Sequence, residues 1–196
     1  MITGNSGPGG GTMTLMAVMP RATDDWTVDD LTQLPDDGLR YELVDGMLLV
    51  SPAPTPIHQR AVRQLTLALE AACPSHLEVF FAPLDWQPDQ RNSLEPDLLV
   101  VAKKDIGEKL ITAPLRLAVE VMSASSRLRD TTLKFAKYAE GGVESYWIVD
   151  PSKPSIVAYD LRDGEYVQVG YGDRDTSVAL ANPFPVTVVP ASLVAG

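Results

Sequence analysis

Glu95-Pro96-Asp97-Leu98-Leu99-Val100-Val101 and, beyond a polar loop, Leu115-Arg116-Leu117-Ala118-Val119-Glu120-Val121-Met122 are the two segments on which the fold turns. Each is a short run rich in Val and Leu bounded by polar clusters, the pattern of a strand. If the two form an antiparallel hairpin through residues 103–114, Ala102 sits opposite Leu115 and the same register sets Asp97 opposite Glu120. Directly opposed residues have Cβ atoms roughly 5 Å apart, and like charges there repel. A carboxylate in an apolar setting carries a further desolvation cost unless it is paired or bound to a metal. Two acids so arranged call for a cation.

Mg²⁺ suits them, being a hard ion usually held by one or two carboxylates plus waters and substrate phosphates. Lys134, on the helix that follows, supplies a mobile positive charge able to neutralise a phosphate or orient water. Taken singly, Asp97 reads more simply as a solvated strand end and Glu120 as a residue on an exposed sheet face. Lys134 has its own plain explanation in an i, i+4 pair with Asp130, worth a few tenths of a kcal/mol. The pairing register is what joins them into a site.

The segment after Ser126 reads as a helix with Asp130, Lys134, Lys137 and Tyr138 on one side, ended by Gly141-Gly142. Tyr146 to Val149 is then a strand, so strand 115–122, helix 130–140 and strand 144–150 form a βαβ unit with parallel strands. Upstream, Tyr41-Glu42-Leu43-Val44 and Met47-Leu48-Leu49-Val50 flank Asp45-Gly46, a strong hairpin signal. Thr55-Pro56 starts a helix whose apolar stripe runs Ile57, Ala61, Leu65, Ala68, Leu69, Ala72. His58 lies on that stripe, either as a core histidine bonded to a carbonyl or presented to Glu42 and the acidic pair. Thr27-Val28-Asp29-Asp30 has the form of a helix start closed by Pro35. Val79-Phe80-Phe81 marks a further strand, and residues 87–95 read as a polar loop.

These residues carry a resemblance. Pro96-Asp97 before an apolar strand, Val119-Glu120-Val121 and a lysine on the next helix are similar to the PD-(D/E)xK phosphodiesterase superfamily. Arg40-Tyr41-Glu42-Leu43-Val44-Asp45-Gly46, His58, Val119 to Ser123, Asp130…Lys134…Tyr138 and Tyr146-Trp147-Ile148-Val149-Asp150-Pro151 resemble its Uma-type restriction-endonuclease branch, from about Trp26 to Tyr159. The superfamily pattern has lysine two residues after the second acid, where this chain has Met122; Lys134 looks like its migrated replacement. The resemblance implies Mg²⁺- or Mn²⁺-dependent hydrolysis of DNA. It implies metal ligation by Asp97, Glu120 and the Val121 carbonyl, with Glu42 and Lys134 in the reaction and His58 and Tyr138 supporting them. A homodimer would suit cutting both strands of a symmetric site. A second class of function stays open: a non-catalytic module of the same fold that serves protein–protein association.

Bulk properties bound both readings. At 196 residues, 45% apolar and 21% charged, the chain suits one globular domain; the order of its elements suits an α/β fold with a mixed central sheet flanked by helices, and the resemblance implies that this fold is restriction-endonuclease-like. Short β segments from residue 155 onward, with a second hairpin turn at Asp163-Gly164, form a C-terminal β extension of that sheet or a small flanking one. Residues 1–20, with Gly9-Gly10-Gly11 and no periodicity, read as a flexible leader before a single domain over 21–196. No apolar run approaches a membrane span, and no basic-then-apolar export signal opens the chain. Cys73 alone excludes an internal disulfide and fits a reducing cytoplasm, its small side chain buried at a helix end. The net charge of −10 opposes polyanion binding, which relies on Lys and Arg. Arg127, Arg129, Lys134 and Lys137 against Asp130 offer a local basic face beside the acids. No serine lies in a Gly-x-Ser-x-Gly setting, which leaves a metal-independent hydrolase without support.

Overall fold

In a computed structural model, residues 25–123 and 126–195 are described; the expected leader lies outside them. The chain runs α1 (Val28–Leu31), β1 (Arg40–Val44), β2 (Met47–Ser51), α2 (Pro56–Ala72), β3 (Leu77–Phe81), β4 (Trp86–Asp89), β5 (Asn92–Leu94), β6 (Leu98–Ala102), β7 (Leu117–Val121), α3 (Arg127–Thr131), α4 (Leu133–Glu140), β8 (Ser145–Asp150), β9 (Ser155–Arg162), β10 (Glu165–Asp173), β11 (Val178–Leu180), β12 (Val186–Val188) and α5 (Pro190–Val194). The architecture is mixed α/β. A six-stranded sheet of order β10-β9-β8-β7-β6-β3 forms its centre, with a four-stranded sheet β2-β1-β5-β4 and the pair β11-β12 beside it. Among the described residues only β7 and β8 pair parallel in the central sheet, as the βαβ reading requires.

β6, β7 and β8 are buried along their whole length, because both sheet faces are covered. Leu98, Val100, Leu117 and Val119 pack on one face with Leu65 and Leu69 of α2; Leu99, Val101 and Ala118 pack on the other with Trp86, Tyr138 and Tyr146. Each fully buried Leu or Val contributes about 1.5–3 kcal/mol. The β6–β7 ladder pairs Leu98 with Val119 and Leu99 with Ala118, which is the register read from sequence; carried one residue further, it puts Asp97 across from Glu120. Both side chains belong to the face on which α4 packs, since strand side chains alternate.

Both Asp-Gly turns hold two consecutive positive φ angles, 52° and 78° at Asp45-Gly46 and 52° and 84° at Asp163-Gly164, as a type I′ hairpin demands. The Asp30 carboxylate accepts the Thr27 N–H at 3.0 Å and closes the capping box of α1.

Four expectations need correction. Residues 87–95 are not simply a loop: β4 and β5 form a hairpin, and Ser93 pairs with Leu43 of β1. Three- and four-residue strands, one containing Pro88, lack a local periodic signal; β1 offers β5 an edge and β5 offers one to β4. That pairing makes β1 an interior strand and helps withdraw Glu42 from solvent. The helix after Ser126 is broken in two at Thr132, with φ −131° and ψ −72°. There the Thr131 and Thr132 hydroxyls donate back to the carbonyls of Arg127 and Leu128, an alternative bonding pattern that competes with the helix ladder. Cys73 is half-buried rather than buried, because it sits past the last turn of α2. The C-terminal β region takes both forms considered: β9 and β10 continue the central sheet, while β11 and β12 make a small sheet of their own.

Candidate active site

Five elements converge at the end of the sheet where β6 begins and β7 ends. β1 brings Arg40 and Glu42, two residues apart and therefore on one face. The first turn of α2 brings His58, β7 brings Glu120, and α3 and α4 bring Asp130, Lys134 and Tyr138. They line or back a cavity of about 290 Å³ that also touches Asp97 and Val121. Glu42, Asp97 and Glu120 are each 2% exposed and Lys134 3%, so these charges are almost completely withdrawn from water.

Their geometry divides into two linked groups. Lys134 Nζ donates to Glu42 Oε1 at 2.8 Å and to Glu120 Oε1 at 2.9 Å, and the Tyr138 hydroxyl donates to the same Glu120 oxygen at 2.7 Å. Around Asp97, Oδ2 accepts the Val121 N–H at 2.8 Å and faces His58 Nε2 at 3.1 Å, while Oδ1 accepts from the Arg40 guanidinium at 3.0 Å. Arg40 also pairs with the Glu95 carboxylate at 2.8 Å, and the Glu95 N–H donates to Glu42 Oε1 at 2.9 Å, which ties the two groups together.

Electrostatics follow from burial and the count of charges. Burial drives the Glu120 carboxyl well above its ordinary range; Lys134 opposes this, and Asp130, Asp97 and Glu42 add to it. Burial also acts to raise Asp97, but the His58 bond, the charges of His58 and Arg40 and the Val121 N–H outweigh it and hold that carboxyl low. Burial would lower Lys134, yet Glu120, Glu42 and Asp130 keep it firmly an ammonium. Burial pushes Glu95 up to about 7 against the pull of Arg40, and raises Asp130 against Lys134. One lysine thus serves three buried acids, and Asp130 Oδ2 is buried without a hydrogen-bond partner among the described residues.

The donor set fits a hard divalent cation on that ground: carboxylate oxygens in excess of positive charge, one of them unpartnered, around a cavity. Among the described residues no three His, Cys, Asp or Glu side chains form a ready-made metal cage. A site of one or two carboxylates completed by water is the usual arrangement for Mg²⁺.

The family model for Uma2, described as "Putative restriction endonuclease", matches residues 28–192. The chain belongs to this family. Its similarity to a solved Uma2-like fold is also clear: the crystal structure of a "putative nuclease" belonging to DUF820 from Anabaena variabilis superposes with a TM-score of 0.68. The two are 18% identical, over 86% of this chain and 97% of the other. No curated protein matches the chain. Membership in Uma2 gives the broad chemistry of a nuclease family.

Of the residues singled out in the sequence, Glu42, Asp97, Glu120, Lys134, His58 and Tyr138 meet around this Uma2 cavity. His58 faces Asp97 rather than Glu42, because the first turn of α2 lies beside the start of β6. Val121 reaches the site through its N–H. Lys137 parts from its expected neighbours and pairs with Asp45 at 2.6 Å and with Glu140. The local basic face is correspondingly reduced: Arg127 pairs with Asp150 at 2.5 Å, Lys134 is interior, and Arg129 donates to the Val50 carbonyl at 3.4 Å. Arg40 and Glu95 were not assigned a role from sequence. Their signal was the two-residue spacing that puts Arg40 beside Glu42 and Glu95 beside Asp97. Among the described residues no helix is long and apolar enough to cross a membrane.

Proposed function

We propose that this protein is a Mg²⁺-dependent endonuclease that hydrolyses phosphodiester bonds in DNA, with Mn²⁺ able to substitute. The observation that carries the reading is the convergence of Glu42, Asp97, Glu120 and Lys134, all buried, on one cavity. In this reading Asp97, Glu120 and the Val121 carbonyl would hold the ion as in PD-(D/E)xK enzymes, and the ion would polarise the scissile phosphate and lower the pKa of a bound water. Lys134, kept charged by its carboxylates, neutralises the negative charge that builds on the phosphate in the transition state. Glu42 aims the Lys134 ammonium and accepts a proton relayed from the attacking water. Tyr138 holds Glu120 in one orientation. His58 and Arg40 do the same for Asp97, as partners behind a metal-bound carboxylate do generally.

The test incubates the full chain with supercoiled plasmid in Mg²⁺, Mn²⁺ or EDTA, alongside Asp97→Asn and Glu120→Gln. Nicking that needs a divalent ion and falls about 10²-fold or more in both variants is expected. Equal cutting by the variants, or cutting in EDTA, would overturn the assignment. A folded wild type that cuts under no condition would favour the association module instead.

A further inference from the structure

A second, larger concavity of about 560 Å³ shares α3 with the acidic cavity. Arg127, Asp150, Lys153, Tyr171, Asp173 and Arg174 form its chemistry. The two cavities are neighbours along a single short helix: Ser126, Arg129 and Asp130 line the first and Arg127 the second.

Its charge is unusual for a protein of net charge −10. Three cations face two carboxylates, and Asp150 is already engaged. Asp150 Oδ2 accepts from Arg127, and its Oδ1 accepts the Ser152 N–H at 2.9 Å, the Ser152 hydroxyl at 2.6 Å and the Lys153 N–H at 3.1 Å. Lys153 and Arg174 are exposed, and neither side chain has an ion-pair partner among the described residues. Arg174 is held in the left-handed region, φ 49°, with its N–H bonded to the Pro154 carbonyl at 2.8 Å, so its direction is set by the turn. Tyr171, on the edge strand β10, is 55% exposed. Solvated cations beside an exposed aromatic ring are the components that bind an unpaired strand: phosphates meet the cations, and a base stacks on the ring for about 1–3 kcal/mol.

We propose that this groove holds an unpaired nucleic-acid strand that continues past α3 from the acidic cavity, with Lys153 and Arg174 on its phosphates and Tyr171 under a base. The ligand class rests on the nuclease reading, and the assay separates the two by measuring binding in EDTA, where cleavage is absent. Anisotropy of a fluorescein-labelled DNA strand of about 15 nucleotides, and of the blunt duplex, is measured with the full chain. Lys153→Gln/Arg174→Gln should weaken single-strand binding about tenfold and lower the salt slope by about 1.4, two phosphates at roughly 0.7 each. Tyr171→Ala should weaken the single strand at least about fivefold and the duplex less than about twofold. Asp173→Asn should tighten binding, a gain that misfolding does not imitate. Unchanged affinity in all the groove variants, or equal losses on strand and duplex for Tyr171→Ala, would overturn the groove. If those losses occur in a protein that cuts no plasmid, the groove stands and the nuclease reading falls. If cleavage occurs and the groove variants bind as wild type, the reverse holds.

Discussion

Lys134→Met removes the only nitrogen that bonds both Glu42 Oε1 and Glu120 Oε1 among the described residues. The side chains of all three residues are 4% exposed or less, so water cannot take its place without opening the site. Deleting one partner of a buried ion pair costs about 3–5 kcal/mol, and at 2–4 °C per kcal/mol for a domain of this size the melting temperature should fall by roughly 6–20 °C. The loss depends on pH. Glu120 already titrates well above its ordinary 4.5 through burial, and without Lys134 it rises further. Between the unfolded and the folded pKa the folded state then binds more protons, so stability falls as pH rises through that window. The deficit should be smaller at acid pH than at neutral pH. A divalent ion that takes the vacated charge should restore about 2.7 kcal/mol at a hundred times its Kd. Thermal melts of wild type and variant at both pH values, in EDTA and in Mg²⁺, read all of this directly. The variant should also retain ion affinity while losing plasmid cleavage. A variant that melts with the wild type in EDTA at both pH values would refute the idea that Lys134 neutralises buried acids. Unchanged turnover would remove it from the chemistry.

Tyr138→Phe deletes the hydroxyl on Glu120 Oε1 and should cost about 1–3 kcal/mol by denaturant melts, with a partial loss of cleavage rather than its abolition. Glu95 carries a pKa of about 7, above its unfolded value, so it contributes stability at acid pH that is lost as pH rises from about 4.5 to about 7. Glu95→Gln should flatten the stability profile across that interval, and an unchanged slope there would contradict the assignment. Gly141→Ala places a Cβ 2.2 Å from the ring of the fully buried Trp86, which leans on Tyr138, and should destabilise by about 1–3 kcal/mol without altering helix propensity unfavourably. Leu65→Ala, in the face covered by α2, should cost about 2–5 kcal/mol and leave divalent-ion binding in place.

Much of the architecture was written locally. The apolar runs at 98–102, 117–121 and 145–150 need only their own composition to be strands. Thr55-Pro56 and the stripe behind it announce α2, and two Asp-Gly pairs set their hairpins because those residues tolerate positive φ. The register that opposes Asp97 and Glu120 was accessible for the same reason: a hairpin with regular pairing propagates one alignment along both strands. Other features depend on partners far away in the chain and leave no periodic mark. β5 exists because β1 lies beside it, and β4 because β5 does. Glu42 and Lys134 are 92 residues apart, and nothing near either predicts a shared hydrogen bond. Whether Lys134 or Lys137 enters the site depends on the kink at Thr132 and on Asp45 drawing Lys137 outward. The Arg40 clamp on Glu95 and Asp97 closes only when β1 and β6 meet. Side-chain alternation is a property of the neighbouring few residues, whereas the neutralisation of a buried charge requires whatever the folded chain brings within about 3 Å of it. For that reason the strands could be read from the residues alone, and the company each carboxylate keeps could not.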